Sequence, residues 1–147
     1  MAYKGKFTPI NPKKYKGDPN RITYRSLWER KFMVYCDTNN AILEWGSEEI
    51  IIPYLSPVDG RIHRYFPDFY IKVQKHDGST EKSIVEIKPK VQCGPPKVPS
   101  KKTRSFYKAI KTWAINEAKW KYASEFCDVN SMVFKVLNED HLGIKYK

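Results

Sequence analysis

RIHRYFPDFYIKVQKHDGSTEKSIVEIKPK, residues 61–90, decides how this chain folds. A β-branched and aromatic run at 61–73 is followed by the turn pair Asp77-Gly78 and then by KSIVEIK, 82–88. Two such runs about a turn dipeptide read as neighbouring antiparallel strands. Ahead of them EIIIPYL, 49–55, reads as another strand, with Pro53 marking an edge or a bend. Asp59-Gly60 supplies the turn between these two, so the middle of the chain is expected to be an antiparallel meander.

The flanks read as helices and one more strand. SLWERKFMVYCD, 26–37, places Leu27, Trp28, Phe32, Met33, Tyr35 and Cys36 on a broad apolar face, with Ser26 as N-cap. Residues 89–103 hold Pro89, Gly94, Pro95, Pro96 and Pro99 among lysines and read as a loop, because proline removes a backbone donor. From 104 to 127 Phe106, Ile110, Trp113, Trp120 and Cys127 fall on one helical stripe, with Glu117 as its one charged member. SMVFKVLN, 131–138, reads as a last strand, and the tail as one short turn of helix. The order α-β-β-β-α-β predicts an α/β fold with a mixed central sheet and flanking helices. Residues 1–22, rich in Lys, Pro, Gly and Asn, read as a basic N-terminal arm; 23–147 reads as a single domain.

The 147 residues carry a net charge of +11, with 27 Lys and Arg against 16 Asp and Glu. A surplus of that size steers anionic partners, nucleic acid first and an anionic membrane or an assembly surface after it. No segment has the apolar length to span a bilayer, and the basic, polar start is no secretory signal. The three cysteines, Cys36, Cys93 and Cys127, are odd in number and form no Cys-x-x-Cys clasp, so disulfides are not expected and a reducing cytoplasm is.

Within this frame the charged residues of the decisive stretch stand out. Ile84, Val85 and Ile87 mark a buried strand, yet Glu86 and Lys88 lie within it or at its end and, two apart, share a face. Ionised groups in a buried strand are costly unless paired or bound to metal; a plain Glu–Lys pair on a solvated face is the alternative. Asp68 stands between two phenylalanines after Pro67, where it could also cap a local bend. Together Asp68, Glu86 and Lys88 form a chemical set. Two hard carboxylates suit Mg²⁺ (or Mn²⁺), which can acidify a bound water and neutralise a scissile phosphate, and an ammonium can hold the attacking hydroxide.

Pro67-Asp68 followed by Glu86-Ile87-Lys88 resembles the PD-(D/E)XK motif of restriction-endonuclease-like nucleases. The wider pattern, with Tyr24-Arg25-Ser26, Trp28-Glu29, FPDF at 66–69, VEIKPK at 85–90 and the helix Trp113–Trp120, is similar to TnsA-type transposon endonuclease subunits and to the small head completion nucleases of tailed phages. The resemblance implies a restriction-endonuclease-like core and metal-dependent DNA cleavage. It makes Asp68, Glu86 and Glu29 metal ligands and Lys88 the water-orienting base. It also implies phage head or portal partners, a homodimer where both strands are cut, and residence in the host cytoplasm or the virion. Glu29 has a plainer reading, since Ser26 and Glu29 could close a capping box. Lys90, Lys97, Lys101, Lys102, Arg104, Lys108 and Lys111 are the candidate DNA-binding residues, or else a solvated lysine face. The histidines are dispersed, with His63 nearest the set in sequence.

One geometric condition accompanies this reading. A two-residue turn at Asp77-Gly78 pairs residues whose numbers sum to 155, which sets Asp68 opposite Ile87 and turns it away from Glu86. Asp68 and Glu86 can share an ion only with an odd loop length or a bulge, for example at Pro67.

Overall fold

The structure, a computed structural model, describes residues 4–143. A four-stranded mixed sheet lies at its centre. Its strands are β3 (Ile42–Ser47), β6 (Phe69–Gln74), β7 (Thr80–Ile87) and β8 (Val133–Leu137), in the order β3-β6-β7-β8. The first two pairings are antiparallel and the third is parallel. Helix α2 (Arg104–Val129) makes the long connection that a parallel pairing requires.

Each face of the sheet buries its own core. On one side Trp45, Phe69, Ile71, Val85 and Ile87 pack against Phe32, Met33 and Cys36 of α1 (Leu27–Thr38). On the other, Ile84 packs against Ala123 and Cys127 of α2 and against Ile52, Tyr54 and Tyr65. Those last three come from a separate hairpin, β4 (Ile52–Leu55) with β5 (Ile62–Tyr65). Consecutive residues of β7 therefore alternate between the two cores, and Glu86 faces α2.

Several expected elements are drawn differently. The run at 61–73 is two strands, broken at Phe66–Asp68, and 49–55 belongs to the small hairpin rather than to the central sheet. The strand that pairs with β6 is β3, which the sequence reading did not anticipate. A register shift between Ile42 and Glu44 puts Ile42 and Trp45, three apart, into one core and hides the period of two. On α2 the buried positions are Phe106, Asn116, Ala123 and Cys127; Glu117 is exposed and Ile110 is turned outward. On α1, Leu27 and Tyr35 also face solvent. The short terminal turn is α3 (Glu139–Leu142).

The expected N-terminal arm is, over its described residues, part of the domain. β1 (Gly5–Phe7) pairs with β2 (Ile22–Tyr24), and Phe7, Tyr15 and Ile22 enter the α1-side core. Tyr15 and Phe7 set their rings edge-on to Trp45, at 4.7 and 5.8 Å. Asp37, buried near the end of α1, accepts from the backbone N–H groups of Ile10 (2.7 Å) and Asn11 (2.9 Å). Lys14 Nζ donates to the carbonyls of Cys36, Asp37 and Asn39 at 2.6, 3.1 and 2.9 Å. That lysine thus closes the C-terminal end of the helix, where orphan carbonyls and the dipole favour a cation. Residues 1–3 of the arm and 144–147 of the domain lie outside the described residues.

A carboxylate pair at the end of the central sheet

The hairpin between β6 and β7 meets the geometric condition. Phe69 pairs with Val85 and Tyr70 with Ile84, without a shift, so pair numbers sum to 154 and the next step sets Asp68 opposite Glu86. The loop has three residues, not two. Lys75 N–H donates to the Ser79 carbonyl (2.8 Å) and Gly78 N–H to the Lys75 carbonyl (3.0 Å), enclosing 76–78. Gly78 has φ +86°, the left-handed residue that closes such a loop. Asp77-Gly78 does make the turn, but as its second and third residues. The odd loop length is the answer, and no bulge at Pro67 is needed.

Asp68 and Glu86 meet at the sheet end. Asp68 Oδ2 accepts from the Ile87 N–H at 2.8 Å, and the Asp68 carboxyl is within hydrogen-bonding reach of the Glu86 carboxyl. Glu86 is buried, and its Oε2 accepts from the Tyr65 hydroxyl. Burial holds the pKa of Asp68 well above the usual carboxylate range, and the neighbouring charge of Glu86 adds to it; the Ile87 N–H and Lys88 oppose this. Glu86 is also raised, by burial, against the pull of Tyr65, Lys88, Asp68 and Lys119. Two desolvated carboxyls in contact cannot both ionise without a cation, so a proton or an ion must lie between them. Lys88 follows at the strand end, its N–H bonded to the Leu137 carbonyl (2.9 Å), and its charge acts on both carboxyls.

Glu29 approaches from the start of α1. Ser26 Oγ accepts from the Glu29 N–H at 3.2 Å as the N-cap should, and its hydroxyl lies 3.3 Å from Glu29 Oε2. The carboxyl is pushed up to about 7, by burial first and then by the charges of Asp68 and Glu48, against the Ser26 hydroxyl and the Arg25 backbone N–H. Ser26 thus caps the helix without the reciprocal half of a capping box, and the Glu29 carboxyl lies within the field of Asp68. Among the described residues no three His, Cys, Asp or Glu side chains converge as a metal-holding group. The touching set is therefore Asp68 with Glu86.

A carboxyl whose folded pKa exceeds its unfolded value stabilises the fold fully below the unfolded value. That stability is lost as pH rises through the folded value. For Glu29 the window runs from 4.5 to about 7, and Asp68 and Glu86 act in the same direction. The urea midpoint of the metal-free chain is expected to fall across this window. Glu29→Gln should flatten part of the fall; a wild-type midpoint that rises from pH 5 to pH 8 would contradict the burial of these acids.

Two neighbours of the pair carry no signal in the linear sequence. Tyr65 is one. The other is Lys119 of α2, whose Nζ lies 5.5 Å from the Tyr65 ring centre and 5.8 Å from that of Tyr54. Burial lowers its pKa, Glu86 raises it, and Lys88 lowers it. Only the packing of α2 on the sheet brings it there. His63, by contrast, is bonded to Asp59 (2.7 Å) on the exposed β4–β5 hairpin and does not join the site.

Of the basic candidates, Lys90 is tied to α3. Its N–H donates to Glu139 Oε1 (2.6 Å) and its Nζ pairs with Asp140 (3.2 Å). Lys97, Lys101 and Lys102 are exposed on the loop before α2. Arg104, Lys108 and Lys111, exposed at steps of four and three, share one face of that helix.

Comparison with known proteins gives two findings. A family model described as TnsA-like endonuclease N terminal matches residues 39–139, a span that holds Asp68, Glu86 and Lys88 but not Glu29. The head completion nuclease of Enterobacteria phage T4 is 42% identical over 146 residues, which cover 97% of this chain and 95% of that protein.

Proposed function

Since the chain belongs to the TnsA-like endonuclease family, we propose that it is a metal-dependent endonuclease that hydrolyses phosphodiester bonds in DNA, on a restriction-endonuclease-like core. The supporting observation is the contact of the half-buried Asp68 carboxyl with the buried Glu86 carboxyl, within the field of Lys88. The donor set fits a divalent cation. It offers hard oxygens, carries more negative charge than burial tolerates, and leaves coordination positions for water. Asp68 and Glu86 would hold Mg²⁺ (Mn²⁺ as an alternative), and Glu29 would add negative charge from the α1 side. When bound, the cation supplies Lewis acidity to the phosphate and acidifies a water.

The chain's own residues do the rest. The Ile87 N–H fixes one oxygen of Asp68, and the Tyr65 hydroxyl fixes one of Glu86, so the pair is oriented before substrate arrives. Lys88 points an ammonium at the same place, where it holds the attacking water and shares charge with the phosphate. Lys119, half-buried above two tyrosine rings, adds a second positive charge on the α2 side. The exposed lysines of the preceding loop and of α2 track the phosphate backbone, with the salt dependence that implies.

The near-complete cover of a head completion nuclease supports a phage setting, in an infected host cell and in the virion, with packaged DNA as substrate and head or portal proteins as partners. Supercoiled plasmid incubated with the protein tests the enzymatic reading. Nicking with Mg²⁺ that EDTA abolishes is the expected result. Plasmid that stays intact at high enzyme concentration would leave a non-enzymatic DNA-end-binding protein.

A further inference from the structure

A cavity of about 300 Å³ lies between the turn after β7 and the first half of α2. Its walls are apolar on two sides, Trp113 on one and Val91 with Pro96 on the other. Trp113 is held from behind by Trp120, edge-on at 5.8 Å. Val91 is 83% exposed, so its side chain is open to a group entering the cavity. Polar groups line much of the rest, Ser105, Thr112 and two amides among them. Gln92 sits on the loop side. Asn116 is only 6% exposed, yet its side-chain amide makes no hydrogen bond among the described residues. Its amide atoms are not sealed inside the protein, so Asn116 offers a donor and an acceptor to the cavity it lines. Lys108 lies at its edge.

We propose that this cavity receives one unpaired nucleobase of a DNA substrate, next to the phosphate that is cut. This rests on the nuclease reading above and narrows it to DNA carrying an unpaired nucleotide, such as a frayed end, an overhang or a flap. The chemistry selects that ligand. A base has two apolar faces for Trp113 and Val91 and a polar edge for the amides of Asn116 and Gln92, as base-binding sites for unstacked nucleotides require. Lys108 meets the adjoining phosphate. Inorganic phosphate alone would have no use for the aromatic wall, and a purely apolar ligand would leave Asn116 unpaired. The position fits as well. Asn116 lies one helical turn before Lys119 and Trp120, which flank Tyr65 and hence Glu86, and Gln92 is four residues beyond Lys88. A base in the cavity holds its own backbone within reach of the carboxylates.

The test is binding in EDTA, where no cleavage occurs. A blunt duplex of about 20 base pairs is compared with the same duplex carrying a short overhang, 5′ in one arm and 3′ in the other, with 2-aminopurine as the unpaired base. One polarity is expected to bind about tenfold tighter than the blunt duplex, with a change in 2-aminopurine emission on binding. Asn116→Leu, of similar volume, and Gln92→Ala, on an exposed loop, should each bring the ratio to within about twofold of one. Unfolding curves certify that each variant is folded, and if Asn116→Leu is not, Gln92→Ala carries the result. Equal affinity for blunt and overhanging duplex, or a preference that survives in the folded variants, overturns the proposal. Plasmid nicking measured in parallel separates the two ideas. Nicking without a preference removes the base pocket and keeps the nuclease; a preference without nicking removes the nuclease and keeps the pocket.

Discussion

Lys88→Ala, Asp68→Asn and Glu86→Gln are each expected to lower Mg²⁺-dependent plasmid nicking by about 10²- to 10³-fold or more, while the chain stays folded. On the proposed function the three residues act as one unit. Asp68 and Glu86 are in contact across the β6–β7 ladder, and Lys88 is two residues further along the same strand face. The carboxamide variants keep the shape of the site. Asparagine at 68 can still accept from the Ile87 N–H that the acid now holds at 2.8 Å, and its N–H₂ can donate to Glu86. What is lost is the negative charge that attracts a cation. For the same reason Asp68→Asn should raise the stability of the metal-free protein near pH 8, by about 1 kcal/mol, because a buried like-charge contact disappears. Lys88→Ala leaves the proposed cation ligands in place, so it should lower nicking by that factor without abolishing metal binding. Double variants should be no worse than single ones if the unit is intact. Nicking that persists at a tenth of wild type in Asp68→Asn would dismiss the carboxylate pair as the reaction centre.

Removing residues 1–19 is expected to unfold the protein. On the reading of that segment as a solvated basic arm, the same truncation would leave stability unchanged and weaken only DNA binding. The structure puts Phe7 and Tyr15 into the core at 6% and 7% exposure. Burial of side chains of that size is worth about 2–3 kcal/mol each, and their loss also strips the rings that cover Trp45. Asp37 would keep a buried carboxylate without the two backbone donors that now satisfy it. A loss of about 5 kcal/mol or more is comparable to the whole stability of an ordinary domain. Circular dichroism and urea unfolding of a chain beginning at Asn20 measure this directly. A cooperative transition at the wild-type midpoint would restore the arm.

These two expectations differ in how far the sequence announced them. Asp68, Glu86 and Lys88 were legible because charge is conspicuous in a run such as Ser83-Ile84-Val85-Glu86-Ile87, where burial makes an ionised group expensive. Helices α1 and α2 were legible within a few residues because the Ser26 cap of the first and the apolar spacing of both are local properties; the Thr103 cap of α2 went unread. The N-terminal segment misled because its lysines were read by composition. Lys14 is not a free charge on an arm; it closes the end of α1. β3 was missed because a register shift between Ile42 and Glu44 breaks the alternation that marks a strand. The basic stripe at Arg104, Lys108 and Lys111 was legible as a patch, whereas the pairing of Lys90 with Asp140, fifty residues away, was not.

By itself the sequence determined the kinds of group available for chemistry, the local helices and strands that carry them, and the surplus of positive charge, since each depends on residues close together in the chain. It left open whether Asp68 and Glu86 look at each other. That depended on whether the turn at 76–78 holds two residues or three, a choice that moves every side chain of β6 to the other face relative to β7. Tertiary packing alone decided the rest: Tyr65 on Glu86, Lys119 above two rings, Glu29 brought from α1 to the field of Asp68, and the cavity beneath Asn116. Those neighbours are separated by tens of residues, and only burial of the two faces of one sheet against different helices draws them to the same end.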